Sequence, residues 1–437
     1  MKQLELIDEE QRLFERLCMV KTLEQGFKAV KANRGSPGID GVTIEEYEER
    51  LEEELVQLKK ELESWNYKPE PVRRVEIPKP GGKGVRLLGV PCIKDRVVQA
   101  TMKLLVEPII DPQFSDSSYG FRPGRSQKQA VEAAKEIVNR GKEHVVDIDL
   151  SKFFDRVNHD RLISRLGEMI PDKRILRLVG ITLRSGVMQD GKITPTREGT
   201  TQGSPLSPLL SNVILNELDK ELERRGLEFC RFADDCNIFV GSNKSAERVM
   251  KSITNFIEKK LKLVINQEKS KVALSKYVKF LGMTVIAGTL AISLGSMNRG
   301  MEKVKELTPR GTHYPIEKTI EEINKWYTGW SSYYGMTQYP SQLKKIEAHI
   351  RRRLRSRIIG QQKKKRYLVK KLIKYGVRRK LVEKTVYSNK KRWALSHTGA
   401  VQNAFSVYWF RETMGLKIVS DKELSHWFSV KRWIKMT

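Results

Sequence analysis

A chain of 437 residues is long enough to bury a sizeable core in two to four domains, and its formal net charge of +29 with a pI near 9.8 points to a polyanionic partner. It has no run of about 18 apolar residues and opens on an acidic segment unlike a secretory signal, so no membrane segment is expected; a cytoplasmic protein, nucleoid-associated if bacterial, is. The four cysteines (Cys18, Cys92, Cys230, Cys236) form no CxxC pair and no cluster with the six histidines, and are expected to be reduced, small apolar residues.

Taken in chain order, Leu13, Leu17, Val20, Leu23, Phe27 and Val30 give residues 1–32 a helical period that stops at the turn cluster Asn33-Arg34-Gly35-Ser36-Pro37-Gly38. Thr43 and Glu46 are spaced as a capping box for a second helix, whose apolar face is Ile44, Tyr47, Leu51, Leu55, Leu58 and Leu62. Val72–Ile77 and Val85–Val90 read as strands around the basic loop 79–84, which is suited to phosphate contact. Helical pattern returns over 94–106 and again over about 127–140, on either side of Tyr119-Gly120-Phe121-Arg122-Pro123-Gly124-Arg125-Ser126. A strand over 143–150 ends in acid, a helix begins near His159, and the loop 199–208, rich in Gly, Thr, Ser and Pro, opens an apolar helix through Leu218. The mixture of helices and strands around a loop-borne acidic centre indicates an α+β core.

That acidic centre is the most informative feature. Apolar residues on both sides of Phe232-Ala233-Asp234-Asp235 make two short strands with the two aspartates at the turn, and a third carboxylate waits at Asp149. Carboxylates gathered in this way repel one another unless they hold divalent cations. Two such ions about 4 Å apart can activate a 3′ hydroxyl and stabilise a leaving pyrophosphate.

Beyond Gly300 the chain turns basic. Residues 301–437 hold 32 lysines and arginines against 10 aspartates and glutamates, so +22 of the +29 lies there. Leu343, Ile346, Ile350, Leu354 and Ile358 form one helical stripe, and Arg351, Arg352, Arg353, Arg355 and Arg357 are expected on the remaining surface, facing a nucleic-acid backbone, with the charge continued by Lys363–Arg366.

In this order the motifs resemble those of group II intron-encoded reverse transcriptases and maturases over nearly the whole length. The resemblance rests on Asn33 to Gly41, Arg74-Val75-Glu76-Ile77-Pro78-Lys79-Pro80 with Arg86, Tyr119 to Pro123, Asp147-Ile148-Asp149-Leu150-Ser151-Lys152-Phe153-Phe154-Asp155, Gln202 to Leu210, Phe232 to Asp235, and Lys279-Phe280-Leu281-Gly282. It implies a right-hand polymerase. Residues 1–70 would form an N-terminal extension and the first fingers segment, 71–295 the fingers and palm, 296–385 a helical thumb or maturase region, and 386–437 a basic DNA-binding-like extension. No endonuclease domain is expected.

Carried over by motif, Asp149 and Asp234 resemble the principal metal ligands, with Asp235 beside them and the Leu150 carbonyl as a further ligand. Asp147 shares strand parity with Asp149, so periodicity leaves the choice open; the family's spacing to Phe154 selects Asp149. Phe154 would lie under the incoming sugar and exclude a 2′ hydroxyl. Lys79 and Arg86 resemble the residues that grip the triphosphate, and Gln202 would contact the nucleotide or template. A lysine near the leaving pyrophosphate is either Lys269 or Lys271, with Lys271 preferred. Arg122 and Arg125 are expected to contact nucleic acid. Three positions depart from the family's usual Tyr, Pro and Gly: Phe232, Thr201 and Ser204. Loss of the phenolic hydroxyl at Phe232 is expected to alter fidelity or nucleotide preference.

The resemblance therefore implies an RNA-directed DNA polymerase that uses two Mg²⁺ ions, with Mn²⁺ as a substitute, and that takes deoxynucleotides, a DNA primer and an RNA template, group II intron RNA among them. It also implies help with intron splicing through basic surfaces. The alternatives are a splicing maturase with little polymerase activity, and an intron-independent reverse transcriptase in DNA repair or phage defence.

Overall fold

A computed structural model describes residues 12–78, 84–309, 311, 314–362 and 364–419. The chain divides into two compact units, 1–274 and 275–437.

The first unit begins with α1 (Leu13–Cys18) and α2 (Val20–Asn33), separated at Met19, whose backbone is extended. The single helical period of the sequence is thus two helices that keep one buried face, Leu13, Leu17, Leu23, Phe27 and Val30. The capping box at Thr43 and Glu46 is present, but the expected second helix is interrupted at Arg50 into α3 (Ile44–Glu49) and α4 (Leu51–Glu63). β1 (Val72–Pro78) and β2 (Val85–Val90) pair antiparallel, Arg74 opposite Gly89 and Ile77 opposite Arg86. The long α5 (Ile93–Ile110) crosses α2 closely. A Cβ on Gly26 would lie 2.9 Å from the Val97 carbonyl oxygen, so only glycine admits that approach.

After the loop 114–126 come α6 (Gln127–Asn139), β3 (His144–Ile148), a 3₁₀ turn Phe153–Asp155, α7 (His159–Met169) and α8 (Lys173–Leu183). The short β4 (Val187–Gln189) and β5 (Lys192–Thr194) extend the first sheet to the order β2-β1-β4-β5, with β4 parallel to β1. α9 (Ser207–Arg224) is buried along much of its length by Leu209, Leu210, Val213, Ile214, Leu218 and Leu222. β6 (Glu228–Phe232), β7 (Asp235–Val240), α10 (Asn243–Phe256) and β8 (Lys271–Leu274) complete an antiparallel sheet in the order β6-β7-β3-β8. Burial of Val145, Val146, Ile148, Phe229, Cys230, Ile238 and Phe239 explains why these strands read as nearly continuous apolar runs.

The second unit is a hairpin, β9 (Met283–Ile286) and β10 (Thr289–Ile292), followed by helices: α11 (Leu294–Leu307), α12 (Ile316–Tyr334), α13 (Pro340–Gly360), α14 (Lys365–Lys374), α15 (Arg379–Val386), α16 (Arg392–Leu395) and α17 (Gly399–Ala404). The stripe Leu343, Ile346, Ile350, Leu354 and Ile358 is buried throughout. All four cysteines are free and buried. Among the described residues no helix is long and apolar enough to cross a membrane.

Candidate functional site

The β6–β7 hairpin turns through Ala233 and Asp234. Ala233 sits in the left-handed region at φ 56°, a conformation that must be held from outside. Phe232 pairs with Asp235 and Ile148 with Cys236, so continuing the β3–β7 register by one residue sets Asp149, just past the end of β3, opposite Asp235. Asp149 is fixed by its backbone: its N–H donates to Ser270 Oγ at 3.0 Å and its carbonyl accepts from Asn266 N at 2.9 Å. At the following bridge between Leu150 and Ile265, the ladder bonds use the Asp149 carbonyl and the Ser151 N–H. Leu150 therefore turns its own carbonyl to the other side of the strand.

Asp234 is half-buried. Burial, and to a lesser degree the charge of Asp149, raise its pKa, while a bond from its own amide and the charges of Arg86 and Arg231 oppose the shift. Two carboxylates that sense each other, one of them desolvated, with a strand-end carbonyl nearby make an all-oxygen anionic donor set of the kind that hard divalent cations take. Among the described residues no three His, Cys, Asp or Glu side chains already converge as a metal site. Asp149 and Asp234 fit such an ion through their mutual repulsion, which a bound cation would relieve.

What holds the turn is a buried arginine that the sequence reading overlooked. Arg231 is 0% exposed and grips Asp219 of α9 through two bonds, at 2.7 and 2.5 Å. Its remaining donors reach Asn212 Oδ1 at 2.9 Å, Ser118 Oγ at 2.7 Å and the Ala233 carbonyl at 2.9 Å. Asn212 in turn donates to the Gly120 carbonyl, and a Cβ on Gly120 would stand 2.3 Å from the Ala233 nitrogen. The Tyr119-Gly120-Phe121 segment and the aspartate turn are thus two left-handed turns clasped by one ion pair, with Phe121 at φ 58° and its ring 6.3 Å from that of Phe232. The clue was available: an arginine inside the apolar run of β6 is buried only with a partner.

The Gln202 loop is held at both ends. Thr200 N donates to the Phe154 carbonyl at 2.6 Å and Gly199 N to the Val157 carbonyl at 2.7 Å; Gly89 N donates to the Gln202 carbonyl at 2.8 Å. Gly203, at φ 113°, approaches the Gly89 carbonyl so closely that a Cβ would be 2.9 Å from it. Ser204 bonds Gln99 of α5. The structure thereby brings Phe154, Gln202 and strand β2, which carries Arg86, to one neighbourhood. Arg86 itself is exposed. Lys79 lies outside the described residues.

Of the two lysines, Lys269 has its Nζ 3.6 Å from Asp149 Oδ2, whereas Lys271 lies on β8 opposite Asp147. Both lysines expected near the leaving pyrophosphate, Lys269 and Lys271, thus stand at the strand edge that carries Asp147 and Asp149.

The arginines expected to contact nucleic acid all have partners within the protein. Arg122 is buried, bound to both Asp111 oxygens and to the Ser115 and Ser118 carbonyls, so it braces its loop. Arg125 pairs with Asp116 and lies over Tyr119. On α13, Arg355 is buried with Nε donating to the Phe405 carbonyl, Arg351 faces Glu347, Arg353 bonds Thr308, and Arg352 stacks on Trp393 at 4.1 Å. Arg352, Arg353 and Arg355 thus link α13 to neighbouring segments, while Arg351 and Glu347 pair within α13. Arg353 and Arg357 stand seven residues after Ile346 and Ile350, so helical period alone puts them on the inward side.

Comparison with known proteins agrees with this geometry. The model of the reverse transcriptase (RNA-dependent DNA polymerase) family matches residues 77–285, and that of the group II intron, maturase-specific domain matches residues 297–376. Protein YkfC of Escherichia coli (strain K12) is 33% identical over 302 residues, covering 60% of this chain and 79% of YkfC. The group II intron-encoded protein LtrA of Lactococcus lactis subsp. cremoris is 31% identical over 269 residues, 60% of this chain and 43% of that protein. The putative COX1/OXI3 intron 2 protein of Saccharomyces cerevisiae is 30% identical over 335 residues, 63% of this chain and 39% of that protein. The chain therefore spans less than half the length of these two intron-encoded relatives.

Proposed function

Because the chain belongs to the reverse transcriptases of the group II intron-encoded kind, we propose that it extends a primer 3′ end with deoxynucleotides on an RNA template. The observation that carries this reading is the register that sets Asp149 beside the Asp234–Asp235 turn, with the charge of Arg86 acting on Asp234. In the reaction the primer 3′ oxygen loses its proton and bonds to the α-phosphorus of the nucleotide, while the bond from that phosphorus to pyrophosphate breaks.

Asp149, Asp234 and the Leu150 carbonyl would hold the divalent cations, Mg²⁺ in this proposal with Mn²⁺ as a substitute, and Asp235 stands beside them. Bound there, the ions would lower the pKa of the attacking hydroxyl and neutralise charge on the leaving group. The protein's own groups do the rest. Arg86, a fixed cation with forked donors, neutralises triphosphate oxygens, as Lys79 is expected to do. Lys271 or Lys269, whose ammonium lies 3.6 Å from the Asp149 carboxylate, would meet the departing pyrophosphate. Phe154, braced edge to face on Phe153 with ring centroids 5.4 Å apart, fills the space a 2′ hydroxyl would need, and Gln202 on its doubly tied loop meets the nucleotide or template.

In the same proposal residues 71–295 act as fingers and palm, 296–385 as thumb and 386–437 as a DNA-binding extension, with group II intron RNA as template and partner in the cytoplasm. The match to the maturase-specific domain over 297–376 favours splicing assistance as a second role, in which cationic surfaces neutralise the folded intron's phosphates without any carboxylate.

Primer extension on an RNA template tests the reading. The parent chain should make full-length DNA, and Asp149→Ala with Asp234→Ala should make none while still binding RNA. No product from the parent, with RNA bound tightly, would leave splicing assistance alone.

A further inference from the structure

Within the second unit, a cavity of about 400 Å³ opens between α13 and the start of α16. One wall is Arg353, Ser356 and Arg357, and the other is Lys391, Arg392 and Trp393. Such a volume suits a small-molecule ligand or one nucleotide.

Among the described residues three cations of this cavity, Arg357, Lys391 and Arg392, are short of counter-charge. Arg357 is 7% exposed and anchored to Thr319 Oγ1 and the Tyr314 carbonyl, both neutral oxygens, and its Nε is buried without an acceptor. Glu317 is the carboxylate that acts on it electrostatically. Among the described residues Lys391 and Arg392 enter no ion pair. The same field reaches His349, whose pKa is lowered by burial and by the charges of Arg353 and Arg352. A buried donor without an acceptor is costly, so an acceptor from outside is favoured there.

The cavity also has an aromatic wall. Trp393 is 39% exposed, and its orientation is fixed by the Arg352 guanidinium 4.1 Å from the ring centroid and by His349 against it edge on. Cations for a phosphate and a rigid, part-exposed indole for a base recognise a nucleotide better than either an inorganic anion or an apolar ligand.

We propose that this cavity takes one unpaired nucleotide of the bound RNA, its phosphate held by Arg357, Lys391 and Arg392 and its base against Trp393. The choice of RNA rests on the polymerase reading above, but the site uses none of the polymerase residues. It also differs from a backbone-tracking surface, since it requires a base out of its stack.

Fluorescence anisotropy with the full chain tests it, using a labelled single-stranded RNA and a blunt RNA duplex of equal length. Lys391→Gln with Arg392→Gln is compared with Lys370→Gln with Lys374→Gln, which removes the same charge from exposed positions on α14. The cavity pair should weaken single-strand binding about tenfold, and the α14 pair by no more than two- to threefold. Trp393→Leu should weaken single-strand binding several-fold and leave the duplex unchanged. Equal losses for the two lysine-containing pairs, or equal losses of single strand and duplex in Trp393→Leu, would overturn the site. If the parent does not extend primers, the polymerase reading fails, and the binding arms still decide the site.

Discussion

At the scale of single residues, the candidate centre depends on groups whose surroundings fix what they can do. Phe154 is half-buried, set edge to face against Phe153 and tied by its carbonyl to the Gln202 loop, so shortening it opens space without loosening the turn. Phe154→Ala should raise incorporation of ribonucleotides relative to deoxynucleotides by roughly 10- to 100-fold, the discrimination that a packed pocket wall supplies. Competition assays with both nucleotides would show it, and an unchanged ratio would remove Phe154 from that role. Arg231 makes the opposite case. Arg231→Ala leaves Asp219 charged and buried alone, which should cost about 3–5 kcal/mol in denaturant unfolding. Arg231→Met with Asp219→Leu should recover most of that stability, yet extend primers slowly because the Ala233 carbonyl has lost its donor. A double variant as fast as the parent would mean that the ion pair only stabilises. Asp234 and Asp235 stand out in the sequence because paired carboxylates at a strand turn have few structural uses, whereas Asp149 is singled out from Asp147 by the family resemblance alone. Arg231, Arg122 and Arg355 could not be told from surface cations by charge alone, since the partner that makes burial tolerable lies on another element or is a backbone carbonyl.

At the scale of elements, most helices and strands were legible because each keeps one apolar face of the right period. The breaks at Met19 and Arg50 were not, since neither residue is a helix breaker and packing of both flanking helices into one core imposes the kink. The glycines of the Gln202 loop could be recognised as a turn, but their reason, the 2.9 Å approach of Gly203 to the Gly89 carbonyl, belongs to tertiary structure. Gly203→Ala must therefore shift either the loop or β2. It should raise the KM for deoxynucleotides several-fold and lower the thermal midpoint, because alanine meets both the left-handed backbone and the Gly89 carbonyl. An unchanged KM would show that the loop does not position the nucleotide.

For the whole molecule, charge and burial set the response to solution conditions. Asp95 is buried against Tyr67, whose hydroxyl donates to it at 2.7 Å, and burial raises its carboxyl to about 6 despite that bond. The folded state therefore holds this proton more tightly than the unfolded chain, where aspartate titrates near 3.9. Its contribution is most favourable below about pH 4, declines as pH rises to about 6 and is flat above, a change of at most about 3 kcal/mol. Urea unfolding of the parent and of Asp95→Asn across this range should converge in slope above pH 6 and diverge below it; parallel curves throughout would contradict the assignment. The net charge of +29 should make RNA affinity fall steeply with salt, and a flat response between low and physiological salt would contradict a cationic partner surface.

The central claim is that Asp234 holds a cation during nucleotidyl transfer, and exchanging its oxygen for sulfur tests that claim directly. Asp234→Cys should lose primer extension in Mg²⁺ and regain part of it in Mn²⁺ or Cd²⁺, because a thiolate favours softer ions. Undiminished extension by Asp234→Cys in Mg²⁺ alone would contradict the account.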